Sequence, residues 1–132
     1  MSDMVPEQLR YTPTHEWCRM DGQIVVIGVT DHGLMSVGNI IYVELPEAGD
    51  DVLHEVPFGE IEGARDLKDL VCPFDGVVEA VNNAVVLKPD TLMKDPYEEG
   101  WLIRLKPDSP VSFENLLSAA DYEEQLRKRR SR

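Results

Sequence analysis

Cysteine is scarce in this chain. Cys18 and Cys72 are the two that occur, far apart, with no Cys-x-x-Cys pair and no histidine at ligand spacing. Zinc-cluster and dithiol-redox chemistry are excluded on that spacing. Two reduced, partly buried thiols are expected, with a long-range disulfide as the alternative. His15, His32 and His54 sit in separate segments, so no metal site is expected. Long hydrophobic runs are missing as well: no apolar stretch exceeds four residues, as in Ile24–Val25–Val26–Ile27, against the ~20 that a membrane span requires. The first ten residues carry Asp3 and Glu7 and no apolar block, which fits neither a secretory signal nor an Arg-rich transit peptide. GxSxG, HExxH, P-loop and GxGxxG patterns are all absent, so no self-contained catalytic apparatus is legible and an enzyme is not expected. The expectation is a soluble, cytoplasmic, non-catalytic protein.

Positive charge is the other shortage. Between Met20 and Ala64 there is no Lys or Arg, while Asp21, Asp31, Glu44, Glu47, Asp50, Asp51, Glu55, Glu60 and Glu62 accumulate. The whole chain has 25 acids against 13 bases, and five of those bases (Arg127, Lys128, Arg129, Arg130 and Arg132) lie in the last six residues. Without them the remainder holds 25 acids and 8 bases, a net of −17. Such a body repels a polyphosphate backbone, since the counterion release that drives nucleic-acid binding has no basic surface to act through. The tail reads as a solvated, fraying helix end that complements the helix dipole. Neither a nucleic-acid nor a membrane partner is expected. The acidic stretch holding Glu44, Glu47, Asp50, Asp51 and Glu55 serves either solubility or docking to a basic surface.

What is present is an ordinary globular composition, 42% hydrophobic and 29% charged over 132 residues, which suits one domain spanning 1–132. Short β-rich runs alternate with turn signals, which argues for a sandwich or barrel over βαβ units. Asp21–Gly22 bounds the β-branched run Gln23–Thr30, Asn39–Leu45 lies between Gly38 and Pro46, and Phe58–Glu62 follows Pro57. Pro73–Phe74–Asp75–Gly76 is a turn by composition, with Val77–Val81 leaving it as a strand. Trp101–Lys106 alternates as a half-exposed strand. Helical signal is confined to a short turn capped by Thr30–Asp31 and ending at Gly38, and to a helix opened by Ser118 and Asp121 and running through Arg130. A shorter turn precedes it over Ser112–Leu117. The division expected is a β body over 10–106 and a C-terminal helical segment over 112–130. Trp17, Trp101, Tyr42 and Phe58 are expected to fill or half-fill the core.

Several segments then stop looking generic. Arg10–Tyr11–Thr12–Pro13–Thr14–His15–Glu16–Trp17, Ile27–Gly28–Val29–Thr30–Asp31 and Val43–Glu44–Leu45–Pro46 resemble, in that order, the H-protein of the glycine cleavage system. So do Pro57–Phe58–Gly59, Pro73 with Gly76, and Asp95–Pro96–Tyr97–Glu98–Glu99–Gly100–Trp101–Leu102–Ile103. The resemblance covers roughly residues 10–125. It implies an all-β barrel-sandwich hybrid of the biotinyl/lipoyl-carrier type with a C-terminal helix. It also implies a lysine at a hairpin tip that carries lipoate in amide linkage and shuttles an aminomethyl group among the glycine-cleavage enzymes.

The family pattern around that lysine is Glu-Ser-Val-Lys-Ala-x-Ser-Asp-x-x-x-Pro-x-x-Gly. Here the stretch is Glu62–Gly63–Ala64–Arg65–Asp66–Leu67–Lys68–Asp69, continuing to Pro73 and Gly76, which places Arg65 at the carrier position. Lipoylation needs a neutral amine. A lysine near pKa 10.4 offers one to about 4 parts in 10,000 at pH 7, and an arginine near 13 is about 400-fold worse. The guanidinium lone pair is also delocalised. No lipoate is therefore expected at Arg65, and Lys68 is the one alternative lipoylation site nearby. Three residues along a hairpin, however, displace a side chain by ~10 Å and turn it to the opposite face. The offsets that the modifying enzyme reads in the family, carried here by Glu62 and Gly76, match Arg65 and not Lys68. Lys68 otherwise reads as a solvated lysine pairing with Asp66 or Asp69. By resemblance, Thr14, Glu16 and Asp69 cradle the loaded arm. Two functions follow: a non-lipoylated binding or scaffold module for protein partners of the glycine-cleavage or lipoate-metabolism kind, or a lipoyl carrier that uses Lys68.

Overall fold

The computed structural model describes residues 5–130. Among the described residues nine strands and four helices follow one another in the order β1 (Arg10–Tyr11), β2 (Glu16–Asp21), β3 (Ile24–Val29), α1 (Asp31–Met35), β4 (Ile40–Glu44), β5 (Asp51–Val52), β6 (Gly59–Gly63), β7 (Leu67–Leu70), β8 (Gly76–Val81), α2 (Asn83–Leu87), α3 (Asp90–Lys94), β9 (Ile103–Pro107) and α4 (Ala119–Arg130). Two antiparallel sheets carry them. One is six-stranded in the order β1-β2-β3-β9-β8-β5, and the other is three-stranded in the order β4-β6-β7. The all-β sandwich with a C-terminal helix is the architecture expected.

Local chemistry accounts for the boundaries. Asp21 and Ile24 pair across the β2–β3 turn, where Gly22 takes φ +63 at no Cβ cost. Thr30 caps α1 by accepting the Gly33 N–H on its side chain, and Gly38 ends the segment at φ +78. Ser118 opens α4, its hydroxyl accepting the Asp121 N–H at 3.2 Å. Tyr122 and Leu126, one turn apart, bury the inner face of α4 against Leu9, Tyr11 and Trp17. A second cluster of Val29, Leu34, Val43, Ile61, Leu70 and Leu92 lies beneath the three-stranded sheet. A third joins Cys18, Ile27, Val78, Ile103 and Leu105 inside the larger one.

Some elements differ from expectation. The short helices α2 and α3 carry no sequence signal beyond Asn82, whose side chain accepts the Ala84 N–H; a single turn is too short to show a 3.6-residue period. β9 starts at Ile103, because Leu102 turns into the cluster under the small sheet. Trp17 is fully buried and Trp101 and Phe58 are half-buried, but Tyr42 is 51% exposed on the outer face of β4. Both cysteines are free and buried, which fits the reduced alternative. Arg127 and Lys128 are exposed near the end of α4, and Arg132 lies outside the described residues.

Candidate functional site

The β6–β7 hairpin closes at Ala64–Arg65. Glu62 pairs with Leu67, and the Gly63 N–H donates to the Asp66 carbonyl at 2.9 Å. Arg65 therefore stands at the tip. Two-residue hairpin loops usually take positive φ to match strand twist, but among the described residues that are not glycine only His15 and Glu55 do so. The tip is held from outside instead. Ala64 N–H donates to Asn39 O at 2.8 Å, and the Arg65 and Asp66 N–H groups both donate to Val37 O at 2.9 and 3.3 Å. The Arg65 guanidinium adds a bond from Nη1 to Met35 O at 3.1 Å. Met35, Gly38, Asn39 and Met93 complete an open hollow of about 530 Å³ around Ala64 and Arg65.

Lys68 is elsewhere. It lies on β7 opposite the fully buried Ile61, so its stem runs along the inner face and only 13% of the side chain is exposed. This corrects the solvated reading. Its partner is neither Asp66 nor the Asp69 carboxylate but Glu16, the first residue of β2, fully buried in spite of its charge. Burial of a carboxylate demands that its lone pairs be met. Oε1 accepts the hydroxyls of Thr12 at 2.6 Å and Thr14 at 2.5 Å, while Oε2 accepts Lys68 Nζ at 3.1 Å and the Val71 N–H at 3.3 Å. His15 takes φ +75 between Thr14 and Glu16. Its ring turns away to Tyr122, with Nδ1 2.7 Å from the phenol oxygen, which also lies 2.8 Å from Thr30 Oγ1. One short segment thus ties α4 on one side and the small sheet on the other.

Of the residues singled out by resemblance, Thr14 and Glu16 are joined directly, whereas Asp69 keeps its side chain exposed and lends only its carbonyl, 3.5 Å from Lys68 Nζ. Glu62 is exposed on β6 beside the tip, and Gly76 opens β8 in the other sheet, opposite Val52 and Pro107. Sequence reasoning missed Thr12, the Val71 N–H and the three carbonyl anchors of residues 35, 37 and 39; main-chain partners leave no mark on composition. The acidic stretch also rearranges. Glu44 faces outward on the small sheet and Asp51 lies on the edge strand of the large one, so they do not share a sheet. Glu44, Glu60 and Asp69 instead stand directly opposite one another across β4, β6 and β7, next to the row Tyr42, Glu62 and Leu67. Like charges paired across strands cost stability.

Titration elsewhere follows simple causes. Burial pushes the Cys72 thiol up to about 12 and the Cys18 thiol upward too, which leaves both unreactive. The hydrogen bond that Asp75 Oδ1 accepts from the His54 ring, 2.9 Å from Nδ1, holds the imidazole above its ordinary value.

Residues 9–129 match the family model of the glycine cleavage H-protein. The chain belongs to the glycine cleavage H-protein family. Similar relatives include the glycine cleavage system H proteins of Anaeromyxobacter sp. (strain K), 42% identical over 118 residues that cover 89% of this chain and 92% of that protein, and of Geobacillus kaustophilus, 41% identical with 89% and 93% covered. The crystal structure of a glycine cleavage system H protein from Mycobacterium marinum superposes with a TM-score of 0.84 at 33% identity, covering 92% of this chain and 98% of that one. H-proteins are carriers and not catalysts, so this chain is a non-catalytic component. Among the described residues no helix is long and apolar enough to cross a membrane.

Proposed function

We propose that this H-protein is a non-lipoylated binding module that docks protein partners of the glycine-cleavage or lipoate-metabolism kind. The observation that carries the reading is the hairpin tip. Arg65 stands where the family pattern has its lipoyl-lysine, and a guanidinium has no acylatable neutral amine at ordinary pH. The residues present do not fit lipoate: the tip lacks the amine that amide linkage needs, and the one nearby, on Lys68, is mostly buried and paired with Glu16. The offsets of Glu62 and Gly76 from residue 65 supply the register but not the nucleophile. Docking is supported by the unneutralised row of Glu44, Glu60 and Asp69, a stability cost that a basic partner surface would relieve.

Coexpression with an active lipoate ligase and free lipoate, followed by intact-mass measurement, tests this. The expected result is no mass gain. A gain of one lipoyl group, mapped by peptide fragmentation to Lys68, would replace the reading with that of a working carrier.

A further inference from the structure

We infer that the face formed by α1, α2, α3 and the end strand β4 is where a second copy of this chain docks. Six of the ten large apolar side chains exposed among the described residues gather there: Met35 on α1, Ile41 and Tyr42 on β4, Val86 and Leu87 on α2, and Met93 on α3. α2 packs against β4 and α3, and α3 against α1, so these side chains share one surface. Leu87 is 81% exposed and Ile41 61%. A contiguous exposed apolar surface marks an interaction site. β4 pairs with β6 on one side only, and a bulge between Ile40 and Tyr42 leaves Ile41 without a cross-strand partner. Such a bulge blunts the edge against extension by a foreign strand, so the occupant meets side chains and not the main chain.

Charge selects the occupant. Lys88 follows Leu87 directly and Lys94 follows Met93; both are exposed, and among the described residues neither is in an ion pair. Asp90, between them in sequence, lies in the first turn of α3 and complements its dipole. On the sheet side, Tyr42 and Glu44 project outward from β4, with Glu62 and Glu60 opposite them on β6, and these carboxylates are exposed and without ion pairs as well. The face thus has an apolar centre with cations on its helical side and carboxylates on its sheet side. A partner of one charge sign satisfies one side and is repelled by the other. Two copies related by a two-fold axis satisfy both: Leu87 of each lies on the Tyr42 ring of the other, and Lys88 meets Glu44. Such self-complementarity is what an isologous dimer requires. Each chain carries −12, and the long-range repulsion between copies is screened within about 8 Å at physiological ionic strength. The dimer is therefore weak, with a dissociation constant on the order of 100 µM. A second copy covers Glu44, so self-association and docking of a basic partner on the carboxylate row exclude each other. The inference itself stands whether or not such a partner exists.

Sedimentation velocity of the full chain at physiological ionic strength, from about 10 µM to about 1 mM protein, tests this. A monomer that passes to a dimer and no further is expected. Leu87→Ser, Lys88→Glu and Glu44→Lys are each expected to raise the dissociation constant at least about tenfold. All three positions are exposed, and an unchanged thermal midpoint checks that the fold is kept. Glu44→Lys lowers the net negative charge, so its loss of association is not plain repulsion. An equimolar mixture of Lys88→Glu and Glu44→Lys is expected to dimerise again, because each variant supplies the charge that the other needs at both contacts. A monomer throughout the range, growth beyond the dimer, a dimer indifferent to Leu87→Ser, or a mixture that associates no better than either variant alone overturns the inference.

Discussion

The Arg65 guanidinium is tied to α1: its Nη1 donates to the carbonyl of Met35, the last residue of that helix, at 3.1 Å. Three main-chain bonds to Val37 and Asn39 hold the tip as well, so its position does not rest on the residue 65 side chain alone. Arg65→Lys therefore leaves the tip in place and supplies an amine at the register set by Glu62 and Gly76. Partial lipoylation by an active ligase is expected, read by intact mass. Asp66, next in sequence, favours the protonated amine and slows attack, so adding Asp66→Ala is expected to raise the modified fraction. If neither variant gains mass, the tip has lost more than its nucleophile.

Docking through the small sheet makes a salt-dependent forecast. Charge reversal at Glu44, Glu60 or Asp69 is expected to slow association with a basic partner complex more than it speeds dissociation, and added salt is expected to slow association of the unaltered protein, since such attraction is screened within about 8–10 Å at physiological ionic strength. The same reversal at Asp51, on the edge of the other sheet, is expected to matter less. Surface plasmon resonance at two ionic strengths separates the rates, and an association rate indifferent to salt returns these carboxylates to a solubility role.

His54 and Asp75 give the fold a modest pH response. Asp75 Oδ1 accepts both the main-chain N–H of His54 at 2.7 Å and sits 2.9 Å from its Nδ1. The hydrogen bond to Asp75 raises the His54 pKa, so this contribution is fully present below the unfolded histidine value of about 6.5 and is lost as pH rises through the folded one. The Asp75 pKa is lowered, chiefly by the His54 main-chain N–H and then by the ring, so its contribution is present above about 3.9 and lost as pH falls through its own folded value. His54→Gln keeps the main-chain bond. Its deficit in thermal midpoint is expected to be largest between about pH 4 and 6.5 and to disappear in the alkaline range. A deficit that persists unchanged to pH 9 would show that the ring acts by packing and not by charge.

Tyr122 fixes α4 to the body through its hydroxyl, shared between His15 Nδ1 and Thr30 Oγ1, and through its ring, stacked on Tyr11 at a centroid distance of 4.7 Å. Tyr122→Phe retains the stack and removes the hydroxyl. The expected loss is about 1–3 kcal/mol, measured by denaturant unfolding with an unchanged m-value. A loss below a few tenths of a kcal/mol would mean that water or another group satisfies His15 and Thr30 without it.

The alternation of β-branched runs with Gly and Pro turns, the Thr30 and Ser118 caps, and the Tyr122–Leu126 spacing were enough to specify a β body closed by a C-terminal helix, because each depends on residues within one turn or one strand of each other. The motif strings from Thr14 to Trp17 and from Asp95 to Ile103 pointed to the family for the same reason: they are contiguous. Arg65 at the hairpin tip was legible too, since the hairpin register is local. The environment of Lys68 was not. Whether a lysine on a short strand meets water or a buried carboxylate depends on a residue 52 positions away, and no period or motif links the two. Only the packing of β7 against the Thr12–Glu16 turn decides it, through the need to satisfy a desolvated charge. The same holds for the acidic residues: their number is set by the sequence, but the row of Glu44, Glu60 and Asp69 exists only because antiparallel pairing sets three distant strands in one register.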